Sequence, residues 1–428
     1  MARTPAINSE VYRALRLSKP FKRLFPSLRN LSWSFFDNLS LGSPLEHICL
    51  LVGPRICYLR LKFEDLDLAE LSFIRSIPVI CPHISGLIIH LIRRLPKHGV
   101  QDPHHLIRDT IWDVVHCYQL TKIRCNLPVS RRGLVDLASM PALQIMALDV
   151  SDLMDDSTSL SLPQHAFPAL RSLKLTGKLA TAFLDALPSC ELEDIEINFA
   201  YAVNEAPLMT RFFQVLHERC SHQSLTRIEI DFGTSVVPTR LLDIESDMLL
   251  LLLSFTNLQD MIIRSYHLFK LDNDFVEAAA KAWPHLCILQ LGHGGWGWGG
   301  QSTNVTLAGL IPLARHCPDL TKLCIVVDAT VVDHSMDILV SNTKLDVLDL
   351  GDSVIDEPAP VAAFLSEIFP HLTSISSWNV PVTGRIAAEV RKKYSGRWDE
   401  VACLLKIFAE VRQMEKNKKD EYNDEAEP

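Results

Sequence analysis

A single phrase, Pro-x-Leu-x-x-Leu-x-Leu, recurs from near the start of the chain to near its end, and no other feature restricts the fold as strongly. It is clearest in Phe167 to Gly177, FPALRSLKLTG, where its apolar positions are Leu170, Leu173 and Leu175. Earlier copies centre on Leu28-Leu31-Trp33, Ile56-Leu59-Leu61, Ile84-Leu87-Ile89, Leu120-Ile123-Cys125 and Leu143-Met146-Leu148. Later copies centre on Leu192-Ile195-Ile197, Leu225-Ile228-Ile230, Leu258-Met261-Ile263, Leu286-Leu289-Leu291, Leu320-Leu323-Ile325 and Leu345-Leu348-Leu350. A degenerate copy at Leu372-Ile375-Ser377 ends the series, which makes about thirteen units at a mean spacing of roughly 29 residues.

Each unit carries a strand and a returning helix. The L-x-L part alternates, so one side of the strand enters a core and the other faces solvent. Between strands, stretches such as Leu179 to Leu187 and Met209 to Glu218 repeat apolar residues three and four apart, the helical period. Longer helices are predicted near Asp102 to His116, Val203 to Phe213 and Val236 to Leu253. Proline two places before the leading apolar residue, as at Pro82, Pro168, Pro284 and Pro370, ends the helix and starts the extended segment. The residue before it is Phe, Cys, Met or Trp (Phe25, Cys81, Cys117, Met140, Phe167, Phe255, Trp283, Cys317, Phe369), placed to plug the core where the helix stops. A strand-and-helix unit at this period is the signature of leucine-rich repeats. The predicted fold is therefore α/β, a leucine-rich repeat solenoid with a curved parallel sheet on its concave side and helices on its convex side. The spacing is irregular, from 22 residues (Leu170 to Leu192) to 36 (Ile84 to Leu120), so the connections differ in length.

Around the solenoid, assigned to residues 25–396, the reading places a basic N-terminal arm over residues 1–24, with a short helix from Ser9 to Leu17. A capping helix over residues 397–414 follows the repeats. It presents Trp398, Val401, Leu404, Leu405, Phe408 and Val411 on one stripe and covers the open end of the last unit. Pro381 to Tyr394 reads as the helix of the last unit, and residues 415–428 as a disordered charged tail. A chain of 428 residues exceeds one ordinary core, but a solenoid grows by adding neighbours.

Composition removes several function classes. A net charge of −9 gives no general affinity for nucleic acid. No apolar run is long enough to cross a membrane, and none near Met1 resembles a secretory signal. Eleven cysteines without a CxxC pair read as buried, reduced thiols of a cytoplasmic or nuclear protein, with no metal site. The histidines lack ligand spacing, and no G-x-S-x-G, Walker loop or H-E-x-x-H occurs, so catalysis has no support. Gly292, Gly294 and Gly297 match a dinucleotide fingerprint in form only. Trp296 and Trp298 interrupt it, and the next helix starts too late for its amides to meet a phosphate, so no cofactor is expected.

Two features remain as partner-binding candidates. Trp296 and Trp298 stand in a Gly-rich loop after the tenth strand, where exposed tryptophans would anchor a partner or fold back on neighbouring loops. Strand alternation also sends Asp194, Glu196, Arg227, Glu229, Asp231, Asp260 and Arg264 to the outward sheet face. Earlier units place Arg60, Lys62, Lys122, Arg124 and Lys174 on that face, which makes it basic in the first units and acidic in the middle. Such charges either steer a protein of complementary charge or solvate the sheet and pair across strands.

The irregular units, the openings FPSLRNLSW, CPHISGLII, FPALRSLKL and CPDLTKLCI, and the closing helix that begins at Trp398 resemble the leucine-rich repeat part of fungal F-box proteins, from about Pro20 to Met414. The resemblance implies a substrate receptor for ubiquitin ligation, whose repeats hold the protein to be modified and whose F-box docks on the ligase adaptor. An F-box needs an LP-x-E/D-I/L opening and a downstream Trp, which the residues before Leu28 do not supply. Adaptor binding is thus implied only if such a module lies upstream; otherwise the chain is a repeat-only binding or regulatory protein unrelated to ubiquitin.

Overall fold

A computed structural model describes residues 25–35, 44–64, 66–92, 103–153, 160–188, 190–199, 206–233, 243–292, 303–333, 340–378 and 388–424. It contains a 13-stranded parallel sheet in which strand order follows chain order, one strand to each copy of the phrase. Strand and helix alternate along the chain, which defines an α/β solenoid. The chain divides after Cys190 into two compact units.

The first unit holds strands Asn30–Phe35, Tyr58–Phe63, Gly86–Leu91, Lys122–Pro128, Ile145–Asp149 and Ser172–Thr176. Their register is the alignment of the phrase itself: Leu59 pairs with Leu87, Leu87 with Ile123, Ile123 with Met146 and Met146 with Leu173. Before the second to sixth strands, two successive amides fork onto one carbonyl of the preceding repeat. Cys57 and Tyr58 both donate to Arg29 O, Ser85 and Gly86 to Cys57 O, and Thr121 and Lys122 to Ser85 O. The L-x-L side chains are sealed, with Leu59, Leu61, Leu173 and Leu175 all at 0 % exposure. Helices Leu68–Ile80, Pro103–His116, Arg131–Ala138 and Ala180–Ala186 cover them. The first of these is fixed by a capping box between Asp67 and Glu70.

The plug residues Cys81, Met140 and Phe167 are buried as expected. Phe25 and Cys117 are exposed instead. At the second of these sites Tyr118 turns inward and donates its hydroxyl to Cys81 O at 2.9 Å, so the larger ring takes the place meant for the thiol. Phe167 reaches its position without a helix before it among residues 160–166, and does so with a left-handed backbone, φ 56°. A bulky residue adopts that conformation only where the surroundings dictate it. Here its amide donates to Ala138 O at 3.0 Å, and its ring sits 6.3 Å from that of Phe183.

The second unit holds strands Asp194–Asn198, Arg227–Asp231, Asp260–Arg264, Ile288–Leu291, Lys322–Cys324, Val347–Asp349 and Ile375–Ser376. Phe255, Trp283, Cys317 and Phe369 are its plugs, all buried. The helix predicted over Val203 to Phe213 spans Ala206–Arg219. Of the one predicted over Val236 to Leu253, residues 236–242 lie outside the described residues; the rest holds Ser246–Leu250 and a 3-10 turn, Leu251–Ser254. Just before it Asp243–Glu245 is extended and pairs in parallel with Leu268–Lys270. Asp328–Ala329 likewise pairs with Val354–Ile355, so the unit has short ladders outside the main sheet. Between them, Asn273 accepts from the Thr306 amide and donates to the Thr306 hydroxyl, both at 2.9 Å. Gly309 gives that amide side chain room, since a Cβ there would collide with Asn273 Oδ1.

The end of the chain departs most from expectation. One helix, Ala388–Asp424, joins what was predicted as separate helices over Pro381 to Tyr394, of which residues 381–387 lie outside the described residues, and over residues 397–414. Ser395 and Gly396 do not break it: a mid-helix glycine costs about 1 kcal/mol, and both flanks are anchored. Tyr394 stacks on Trp378 at 5.4 Å, while Trp398 is 1 % exposed. The helix also continues through residues 415–424 of the tail predicted to be disordered, a stretch rich in Glu and Lys, which are good helix formers. Of the predicted stripe, Trp398, Val401 and Leu405 are buried, Leu404 and Phe408 are half-buried, and Val411 is exposed. The indoles of Trp398 and Trp378 both donate to Ser353 O at 2.9 Å. Arg397 donates to Ile355 O and Asp356, and Arg412 to Ser366. The basic arm at residues 1–24 lies outside the described residues.

Candidate partner-binding face

Because alternate side chains along a strand point to opposite sides, the residues between the sealed positions stand on one open face of the sheet. In the seventh to ninth strands the register aligns Asp194 with Arg227 and Asp260, Glu196 with Glu229 and Ile262, and Asn198 with Asp231 and Arg264. Five of the seven predicted residues meet in one ionic network. Glu229 accepts from both Arg227 and Arg264, and Arg227 lies 3.6 Å from Asp194 and 3.7 Å from Asp260. The side chain of Glu229 is only 9 % exposed, so its charge is stabilised by two guanidiniums and withdrawn from solvent.

The arginines of this patch are therefore engaged with its own carboxylates, and its outward character is acidic. Burial raises the Asp260 pKa, Asp194 and Glu229 add to the shift, and Arg227 opposes it. A carboxyl whose folded-state pKa is raised destabilises the fold once it ionises, and the strain is relieved as pH falls through the raised pKa. Asp260→Asn is thus expected to raise the melting midpoint at pH 7, with an advantage over wild type that shrinks as pH falls through the raised pKa and is gone below the ordinary carboxylate pKa. A lower midpoint at pH 7 would show that the contact with Arg227 outweighs burial.

Asp231 also shapes the backbone, since its Oδ1 accepts the Gly233 amide at 2.9 Å and turns the chain after the strand. Asp149 and Asp349 do the same for Ser151 and Gly351. An acid at the last strand position followed two residues later by a small residue would have revealed this structural role in advance. Trp296 and Trp298 lie outside the described residues, as do Gly294 and Gly297; Gly292 ends its strand at φ 109°.

Sequence reasoning also passed over Tyr58, Gly86 and His90 on the outward face of the second and third strands. Tyr58 lies against Gly86, where a Cβ would approach its ring within 2.5 Å, and Lys122 Nζ stands 5.7 Å from the centre of that ring. Alternation applied to every strand, and not only to charged positions, would have found them.

Among the described residues no group of His, Cys, Asp and Glu has the arrangement to hold a metal ion. Burial pushes the thiols of Cys125, Cys317 and Cys324 up to about 12, so they are protonated and inert near neutrality. Among the described residues no helix is long and apolar enough to cross a membrane. Fold and face define a repeat-like α/β solenoid with a charged, solvent-facing sheet. Compared with known proteins, the chain matches no family model and no curated protein.

Proposed function

We propose that this protein is an interaction scaffold that acts by binding another protein on its outward sheet face, without catalysis. The observation that supports this most is the placement of Asp194, Glu196, Glu229, Asp231 and Asp260 together on adjoining strands, with Arg227 and Arg264 already taken up among them. An acidic surface held by a rigid ladder favours a partner that presents cations, by steering its approach and fixing its register. The sharper form of the reading comes from the repeat phrase and its likeness to fungal F-box proteins. In that form the partner is a protein destined for ubiquitination, in the cytoplasm or nucleus, and contact with a ligase adaptor requires an F-box upstream of the repeats.

Purification of the tagged protein from its native cells, followed by mass spectrometry, tests both forms. Recovery of a ligase adaptor and cullin supports the receptor form; other specific partners without them support a repeat-only binder. Asp194→Lys with Glu196→Lys is expected to lower recovery of the specific partners at least about tenfold, and undiminished recovery would remove this face as the binding site.

A further inference from the structure

The first unit presents the opposite charge, in a more regular array. On the outward face one register row runs Ser32, Arg60, Ile88, Arg124, Ala147, Lys174 from the first strand to the sixth. Cations occupy every second strand, and an apolar residue lies between each two, Ile88 at 6 % and Ala147 at 9 % exposure. Strands about 4.8 Å apart set successive cations roughly 10 Å apart. Lys62 and Lys122 flank this row on the second and fourth strands.

Arg227 and Arg264 in the second unit are neutralised in place, but Arg60, Lys62 and Arg124 make no ion pair with any described residue. Arg124 is exposed, and Arg60 and Lys62 are half-buried, so these cations are presented and not sheathed. Burial, and after it the charge of Lys62, lower the pKa of His90. The unneutralised cations, Arg60 and Lys62 on the second strand and Arg124 on the fourth, repel one another. Supplying anions from outside would relieve that repulsion.

We propose that the outward face of the first six strands is a docking surface for an acidic, extended protein segment, with its carboxylates engaging Arg60 and Arg124. An extended chain in the polyproline II conformation has three residues per turn and advances about 3.1 Å per residue, so acidic residues three apart stand on one edge at about the spacing of the cations. A nucleic-acid strand fits less well, since it brings a charge about every 3.4 Å and a long polyanion is opposed by the net charge of the chain. This site rests on the reading of the open sheet face as the binding surface, and it adds a second locus to the acidic one.

The test uses the full chain and a fluorescent synthetic peptide with glutamate at every third position, beside a peptide of the same composition with its glutamates contiguous. Fluorescence anisotropy at about 50 mM salt is expected to show binding that weakens at least about tenfold at 0.5 M salt. R60E/R124E is expected to weaken it at least about tenfold, and the contiguous peptide to bind less tightly than the spaced one. Should the double reversal fail to melt cooperatively, R60Q/R124Q gives the same comparison with less electrostatic disturbance. No binding by the wild-type chain, equal binding by the glutamine variant, or equal affinity for single-stranded DNA of the same charge would overturn the proposal. If the peptide fails while Asp194→Lys with Glu196→Lys still removes cellular partners, the basic site falls and the scaffold reading stands.

Discussion

Leu173→Asp is expected to abolish cooperative folding of the first unit. Leu173 is 0 % exposed and lies in the sixth strand, in register with Met146 of the fifth. Truncating a buried leucine alone costs about 2 to 5 kcal/mol, and an unpaired buried carboxylate adds several more. The sum is comparable with the whole stability of an ordinary domain. Neighbouring units should be lost together, because each repeat is stabilised chiefly by its two neighbours. Circular dichroism and thermal melting check this; an unchanged midpoint would contradict the assignment of the strand face.

The second large effect is expected at the other end. Deletion from Trp398 onward removes an indole that is buried and bonded to Ser353 O, together with Val401, Leu405 and the arginine contact at Ser366. Losing a buried tryptophan alone is worth about 3 to 5 kcal/mol. The buried side chains of the helix Pro358–Ile368, among them Phe364 and Leu365, would then lose their cover, and the chain should aggregate on heating. Removing residues 415–428 should change stability by less than about 0.5 kcal/mol, because residues 415–417 are exposed and the cut lies beyond the anchored residues. Light scattering during a thermal ramp separates the two truncations.

The sheet was legible in the sequence because one constraint repeats: a strand sealed on one side must alternate, and thirteen alternations in the same phrase leave no freedom in register. Aligning Leu192, Leu225 and Leu258 already places Asp194 beside Arg227 and Arg227 beside Asp260. What alignment does not supply is the diagonal. Arg264 stands in register with Asp231 yet bonds to Glu229, a choice made by side-chain reach and burial. The short ladders of Asp243–Glu245 and Asp328–Ala329 were invisible for a different reason: two or three residues are too few to show a period. The closing helix was read too short because Gly396 and the polar tail look like boundaries, whereas anchors at Tyr394 and Trp398 carry the helix across the first. The role of Asp231 in turning the chain escaped notice because an acid on an open face looks like a binding residue.

The forked carbonyls that join successive repeats within each compact unit have a consequence for how such a chain changes over generations. Where one backbone oxygen of a repeat receives two amides of the next, that joint is written in the main chain and asks nothing of the outward side chains. A whole unit can be copied or dropped by unequal recombination, and its connection lengthened, without renegotiating the seam. Recognition can then drift strand by strand, from a basic row to an acidic cluster, while the inheritance of the fold is carried by a different set of atoms.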